Sequence, residues 1–173
     1  MRALLFVLMF GCATAGYEEY LAKPKVLIQP LWRWDKAQFP LDVILDAEMT
    51  DKEAEVQTAL DWWNKQLGFV IFNQVNELSG HGLVVVGSLV EPAGPMGQRN
   101  VGKTSRADVG TVAVVSIDKE YKTNVPRVYA HEFGHVLGLN HSLVIRSVMY
   151  PAVEDGPFVL LPAERAALLR WLR

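Results

Sequence analysis

The stretch HEFGHVLGLNH, residues 131–141, contains three of the four histidines in the chain. His131 and His135 are four positions apart, so on a helix both imidazoles project from the same face. Two nitrogen donors at this spacing can bind one metal ion, and zinc favours imidazole. Glu132 is rotated by about 100° on the same helix, which directs its carboxylate towards a water on the metal and away from the coordination shell.

The chain leaves the predicted helix just after these two histidines. Gly138 can adopt the left-handed conformation that ends a helix and turns the chain sharply. His141 follows three residues later, so its ring can return towards the same ion. Three neutral imidazoles leave the fourth position of a tetrahedral zinc open, and an open position is typical of catalytic sites.

This arrangement predicts hydrolysis of a peptide bond without a covalent intermediate. Zinc lowers the pKa of a bound water from ~15.7 towards about 7, and Glu132 would take the proton as general base and deliver it to the leaving amine. A bare HExxH also occurs in helices that bind no metal. Here five positions agree with the spacing of metzincins: His131, Glu132, His135, Gly138 and His141.

The segment HEFGHVLGLNHS, followed by SVMYP at 147–151, resembles the matrixin branch of the metzincin metallopeptidases. The resemblance is sharpest over 127–151 and implies that Met149 forms the family's methionine turn (Met-turn) beneath the zinc. It also implies an α+β catalytic domain with a twisted mixed sheet of about five strands, two main helices and a C-terminal helix. One catalytic zinc ion is expected. The Asp and Gly pattern of the family's calcium sites is not evident, so calcium is not expected.

The resemblance further implies how a protein or peptide substrate binds. An extended substrate would add to the outer strand of the sheet, which should lie within 97–106. Three residues after the Met-turn would wall the pocket beyond the cleaved bond: Tyr150, Pro151 and Val153. Arg127 lies one turn before His131, and we expect it to reach this pocket and limit its depth. The alternative is an exposed, solvated arginine.

Residue patterns predict the elements around the motif. Runs rich in Val, Ile and Phe predict strands at 41–46, 69–75, 83–90 and 111–117. Apolar residues spaced by three or four predict a helix that starts at a capping box of Thr50 and Glu53 and ends at Gly68. Pro126 opens the helix that carries the motif, and Pro162 begins a third helix.

The first fifteen residues, MRALLFVLMFGCATA, have the layout of a secretory signal, with one basic residue, an apolar run and small residues at the cleavage site. We therefore expect a signal peptide at 1–15 and a catalytic domain at 16–173, in a secreted or extracytoplasmic protein. A second interpretation places cleavage before Cys12, the only cysteine, with lipid attachment there. A buried N-terminal helix is the structural alternative.

Composition narrows the classes of partner. Half of the residues are hydrophobic and 21% are charged, which is typical of a folded domain. A formal net charge of −2 does not indicate nucleic acid as a partner. No later segment approaches the roughly 18 to 20 apolar residues of a transmembrane helix, and we expect a monomer.

The main functional hypothesis is therefore a secreted zinc endopeptidase. Two alternatives remain open. The first is a zinc-containing module that binds peptides without cleaving them, although such a module has no need of Glu132. The second is an amidase that uses the same zinc to act on cell-wall peptides.

Overall fold

A computed structural model describes residues 34–77, 79, 82–89, 100–106, 111–152 and 156–172. The predicted signal segment at 1–15, Cys12 and Val153 lie outside these residues. Within them, five strands form one sheet and three α-helices flank it. This architecture confirms the predicted α+β class with a five-stranded mixed sheet.

The strands are β1 (Leu41–Leu45), β2 (Phe72–Gln74), β3 (Leu83–Ser88), β4 (Gly102–Arg106) and β5 (Val112–Ile117). Their order across the sheet is β2-β1-β3-β5-β4. The first four strands in this order are parallel to one another, and the last strand, β4, is antiparallel to β5. The predicted outer strand is therefore β4, at one end of the sheet.

The predicted strand at 69–75 is shorter than expected. Phe69 and Val70 are 44% and 58% exposed, and pairing with β1 begins only at Phe72. The side chain of Asn64 accepts hydrogen bonds from the backbone amides of Ile71 and Phe72, at 2.8 and 3.1 Å. These two hydrogen bonds hold the start of the strand against the preceding helix, and Phe69 and Val70 remain outside the ladder of paired strands.

The helices are α1 (Glu53–Leu67), α2 (Val125–Val136) and α3 (Pro162–Leu172). Gly68 ends α1 with φ 85°, as predicted for a left-handed glycine. The predicted capping box is wrong, because the chain first forms a 3-10 helix over Ala47–Lys52. Within that turn the Thr50 hydroxyl donates to the carbonyl of Ala47. The amide of Glu53 donates to the backbone carbonyl of Thr50, so it does not bond to the Thr50 hydroxyl as a capping box requires.

Helices α1 and α2 pack against the sheet, whereas α3 packs against α1. Alternate residues of β3 and β5 are buried, among them Val86 and Val115 at 0% exposure, as expected for strands with one covered face. The indole of Trp63 on α1 donates to the carbonyl of Ala130 on α2 at 2.8 Å, and both groups are buried. None of the helices in the described ranges is long and apolar enough to cross a membrane.

Candidate metal centre and its carboxylate

The end of α2 has the geometry of a Schellman motif. Gly138 has φ 87°, which is the left-handed conformation predicted from the sequence. Its amide donates to the carbonyl of His135 at 2.8 Å, and the amide of Leu139 donates to that of Gly134 at 3.0 Å. These two bonds satisfy carbonyls that the helix itself leaves open and turn the chain back towards the helix face.

Because of this turn, the three motif histidines lie together. One nitrogen atom from each of His131, His135 and His141 lies within 4.8 Å of the others, an arrangement that could hold a metal ion. The ring centroid of His141 lies 5.2 Å from that of His131 and 4.8 Å from that of His135. The helical period brings two of the rings together, and the glycine turn adds the third.

Two backbone carbonyls determine how the helix histidines are protonated. Nδ1 of His131 lies 2.8 Å from the carbonyl oxygen of Val148, and Nδ1 of His135 lies 2.7 Å from that of Leu139. A carbonyl oxygen can only accept, so each Nδ1 carries a proton and donates it. The Nε2 atoms of a neutral pair then carry lone pairs, and these two atoms are only 3.1 Å apart.

Burial keeps the three rings neutral. Desolvation, together with the neighbouring histidines, holds the pKa of His131 well below its usual range. Burial also lowers the pKa of His135 to about 4 and that of His141 to about 3. At neutral pH, therefore, no proton joins the two facing Nε2 atoms, and both lone pairs are available to a cation.

Glu132 lies on the same helix and is directed at strand β4. Its side chain is 2% exposed, and its Oε2 accepts a hydrogen bond from the hydroxyl of Thr104 at 2.5 Å. A Cβ atom added to Gly102 would lie 2.5 Å from Glu132 Oε1. Burial raises the pKa of Glu132 to about 7, and the bond from Thr104 opposes this shift.

Met149, the predicted Met-turn residue, packs against α2. It is fully buried, and a Cβ atom added to Gly134 would overlap its Sδ atom. Gly134 stands between the two helix histidines, so the glycine of HEFGH makes room for the methionine. The carbonyl of the preceding Val148 accepts the Nδ1 proton of His131. The Met-turn segment thus supports the helix sterically and orients one ring.

A buried polar chain joins the Met-turn to α3. The Ser147 hydroxyl accepts from the amide of Met149 at 2.9 Å and donates to Glu164 Oε1 at 2.6 Å. Glu164 Oε2 also accepts from the amide of Leu161 at 2.8 Å, as in the return half of a capping box. Burial raises the pKa of Glu164, although these hydrogen bonds oppose the shift.

Arg127 is buried and not solvated. It is 3% exposed, so the alternative of an exposed arginine is wrong. Its Nη2 donates to the carbonyl of Ile145 at 3.4 Å, and its guanidinium carbon lies 5.9 Å from the ring centroid of Phe158. The side chain therefore lies between α2 and the two loops on either side of the Met-turn. Tyr150 and Pro151, which also belong to the predicted pocket wall, are half-buried in this region.

The sequence analysis did not identify two residues on other elements that contact the motif or the Met-turn, Glu164 on α3 and Thr104 on β4. Glu164 had a readable signal, because it stands three residues after Leu161 at the start of a helix that Pro162 opens. Thr104 had none, since its contact with Glu132 depends on how β4 packs against α2.

The chain matches the family model described as matrixin over residues 89–164. That range runs from the end of β3 through β4, β5, the histidine motif and the Met-turn into α3. A comparison with curated proteins gives no match. This match shows that residues 89–164 are similar to the matrixin family, and the five-stranded mixed sheet and the histidine cluster are consistent with a matrixin-like catalytic domain.

Proposed function

We propose that this protein is a secreted zinc endopeptidase in which Glu132 is the general base. The matrixin match supports a zinc metallopeptidase. One observation carries the proposal furthest: the facing Nε2 atoms of His131 and His135 are 3.1 Å apart, and both Nδ1 protons are already donated to carbonyls. Two lone pairs at that distance repel unless a cation lies between them.

The donor set fits zinc. Two nitrogens bound at ~2.0–2.1 Å to one tetrahedral ion lie about 3.3 Å apart, close to the separation of the two Nε2 atoms. His141 supplies a third nitrogen in the same cluster. Imidazoles whose other nitrogen donates to a backbone carbonyl are the usual form of a zinc ligand. Three protein ligands leave one position for water or substrate.

In the proposed mechanism His131, His135 and His141 hold the zinc ion. When bound, zinc would supply a Lewis acid and would lower the pKa of the attacking water. Glu132 takes the proton from that water on its carboxylate and passes it to the nitrogen of the leaving amine. Burial of Glu132 favours its protonated form, which helps the carboxyl to accept this proton and hold it for the leaving amine.

Substrate binding is proposed at the outer edge of β4. This strand is last in the order of the described sheet, so an extended peptide can add to it through backbone hydrogen bonds. Arg127 would limit the pocket beyond the cleaved bond, with Tyr150, Pro151 and Val153 in its wall. The buried position of Arg127 next to the loops around the Met-turn supports this assignment.

Secretion and a monomeric state belong to the same proposal. Secretion rests on the signal-like composition of residues 1–15. Expression of the full chain in a secreting host, followed by N-terminal sequencing of the protein in the medium, tests the predicted cleavage after Ala15. Recovery of the uncleaved chain in the cell pellet would contradict it.

A peptide-library digest tests the enzymatic proposal. Zinc-loaded protein should cleave within peptides, a zinc chelator should abolish cleavage, and added zinc should restore it. Glu132→Gln should retain zinc, measured by elemental analysis, and lose cleavage by a factor of about 10² to 10⁴. Cleavage that survives chelation or the substitution would contradict the mechanism.

The two alternatives predict different results in the same assay. A folded, zinc-loaded protein that binds library peptides and cleaves none would favour the binding module. Release of products only from cell-wall peptides would favour the amidase.

A further inference from the structure

We propose that Thr104 and Gly102 on strand β4 position the carboxylate of Glu132, a role that rests on the proposed function of Glu132 as general base. Thr104 is a positioning residue that acts through Glu132. It anchors one oxygen of the carboxylate, and Gly102 leaves room for the other.

The anchoring bond is short and buried. The Thr104 hydroxyl lies 2.5 Å from Glu132 Oε2 and 3.1 Å from the backbone carbonyl oxygen of Glu132. A hydroxyl has one proton to donate, so the closer carboxylate oxygen receives it. Thr104 is 9% exposed and Glu132 is 2% exposed, so little water competes for this bond.

The strand register keeps the hydroxyl in place. Thr104 pairs with Val115 in the antiparallel ladder between β4 and β5, and Gly102 pairs with Ile117. Positions two apart on a strand point to the same face, so both residues face α2. A threonine side chain has few accessible rotamers, and its χ1 is further restricted in a packed strand.

Gly102 acts by the absence of a side chain. A Cβ atom at this position would lie 2.5 Å from Oε1 of Glu132, and 3.0 Å from both its Cδ and its Cγ. The atom in the way is the end of a flexible side chain, so alanine here should displace the carboxylate and leave the backbone in place. Thr104 and Gly102 therefore restrict the same group, one by attraction and one by available space.

Fixing the carboxylate matters because proton transfer requires the correct geometry. An unrestrained glutamate explores several rotamers, and a misplacement of about 1 Å at a reacting group can cost roughly a hundredfold in rate. The hydrogen bond from Thr104 fixes the orientation of the carboxylate, and Thr104 lies on β4 and not on the segment that carries the histidines. Removing this bond should therefore affect the catalytic step and leave the metal ligands unchanged.

Three variants of the zinc-loaded protein test this inference. Thr104→Val keeps the shape and removes the hydroxyl, and Thr104→Ser keeps the hydroxyl. Gly102→Ala displaces the carboxylate by contact. Two matched controls make the same chemical changes elsewhere: Thr58→Val on the exposed face of α1, and Gly87→Ala on β3, where an added Cβ meets no atom within 4 Å.

We expect Thr104→Val and Gly102→Ala to lower kcat by about ten- to a hundredfold, with KM and zinc content close to those of the wild type. Thr104→Ser should recover most of the lost kcat, which a purely structural role of the threonine methyl would not allow. Both controls should retain wild-type kcat. If Thr104→Val fails to fold, Gly102→Ala and Thr104→Ser still decide the outcome.

Two results would overturn the inference. The first is a Thr104→Val or Gly102→Ala variant with unchanged kcat in an active wild-type background. The second is a loss of kcat that Thr104→Ser fails to recover. By contrast, a wild-type protein that folds, binds zinc and cleaves no peptide would overturn the proposed function itself, so the two failures are distinguishable.

Discussion

Gly134 lies where α2 packs against Met149. A Cβ atom there would overlap Met149 Sδ and lie 3.2 Å from Trp63 Cζ2. Alanine is normally favoured over glycine inside a helix by about 1 kcal/mol. Overpacking a filled core costs about 1–3 kcal/mol, so the steric effect outweighs the helical one.

We therefore predict that Gly134→Ala lowers the free energy of unfolding by up to about 2 kcal/mol, the overpacking cost less the gain in helix propensity. In a Met149→Ala background the same change should be neutral or stabilising, because the overlapping sulfur is gone. Urea denaturation of the wild type, the two single variants and the double variant gives this cycle directly. An equal loss in both backgrounds would mean that Met149 is not the group that requires glycine.

Arg127 carries a prediction about specificity. Its burial between α2 and the loops on either side of the Met-turn leads us to expect that Arg127→Ala deepens the proposed pocket. The variant should then accept longer side chains at the position following the cleaved bond. A cleavage profile over a peptide library checks this, with the exposed Arg170→Ala on α3 as control. An unchanged profile in Arg127→Ala would remove Arg127 from the pocket.

At the scale of the element, the C-terminal end of α2 combines two tasks. Gly138 ends the helix in a left-handed conformation. The turn that follows places the carbonyl of Leu139 against the ring of His135 and brings His141 close to the other two histidines. Gly68 ends α1 with nearly the same φ, 85° against 87°, and no metal ligand follows it. The two glycines form a natural matched pair.

We predict that Gly138→Ala and Gly68→Ala each destabilise the fold by about 1–2 kcal/mol, the cost of a left-handed alanine. Only Gly138→Ala should also weaken zinc binding, because only its turn orients two of the proposed ligands. Unfolding by urea measures the first effect, and competition with a zinc-sensitive dye measures the second. Equal zinc affinities in the two variants would separate the glycine turn from the metal centre.

Features encoded by local spacing were predictable at this scale. The positions of His131, His135 and Gly138 follow from the helical period and from glycine's access to positive φ. The contact between Thr104 and Glu132 joins residues 28 positions apart, and no short-range pattern encodes it. The capping box predicted at Thr50 is wrong because the 3-10 turn directs the amide of Glu53 to the backbone carbonyl of Thr50, so the Thr50 hydroxyl is not its acceptor.

In the whole molecule, separate elements support α2 around the candidate centre. Strand β4 contacts Glu132 through Thr104, and the Met-turn segment contacts His131 through the carbonyl of Val148. Helix α1 contacts Ala130 through the indole of Trp63. The centre is therefore part of the cooperative core, and its titratable groups should influence the stability of the entire fold.

The histidines and Glu132 should act on stability in opposite directions in the metal-free protein. An unfolded histidine titrates near ~6.5, whereas folded His135 and His141 have pKa values of about 4 and about 3. The unfolded state then binds more protons below ~6.5, so stability falls on acidification by at most ~1.4 kcal/mol per pH unit for each group. Glu132 is raised from 4.5 to about 7, so its contribution is present at low pH and is lost as pH rises through about 7.

Two substitutions should separate these contributions. His141→Ala removes a group of the first kind, so the stability of this variant should fall less steeply than that of the wild type between about pH 6.5 and 4.5. Glu132→Gln removes the opposing group, so its stability should fall more steeply over the same interval. Glu164 has the same sign as Glu132, but it is present in all three proteins and cancels from the comparison. Urea unfolding of the chelator-treated proteins across this interval gives the slopes, and slopes that change in the same direction in both variants would contradict the opposition.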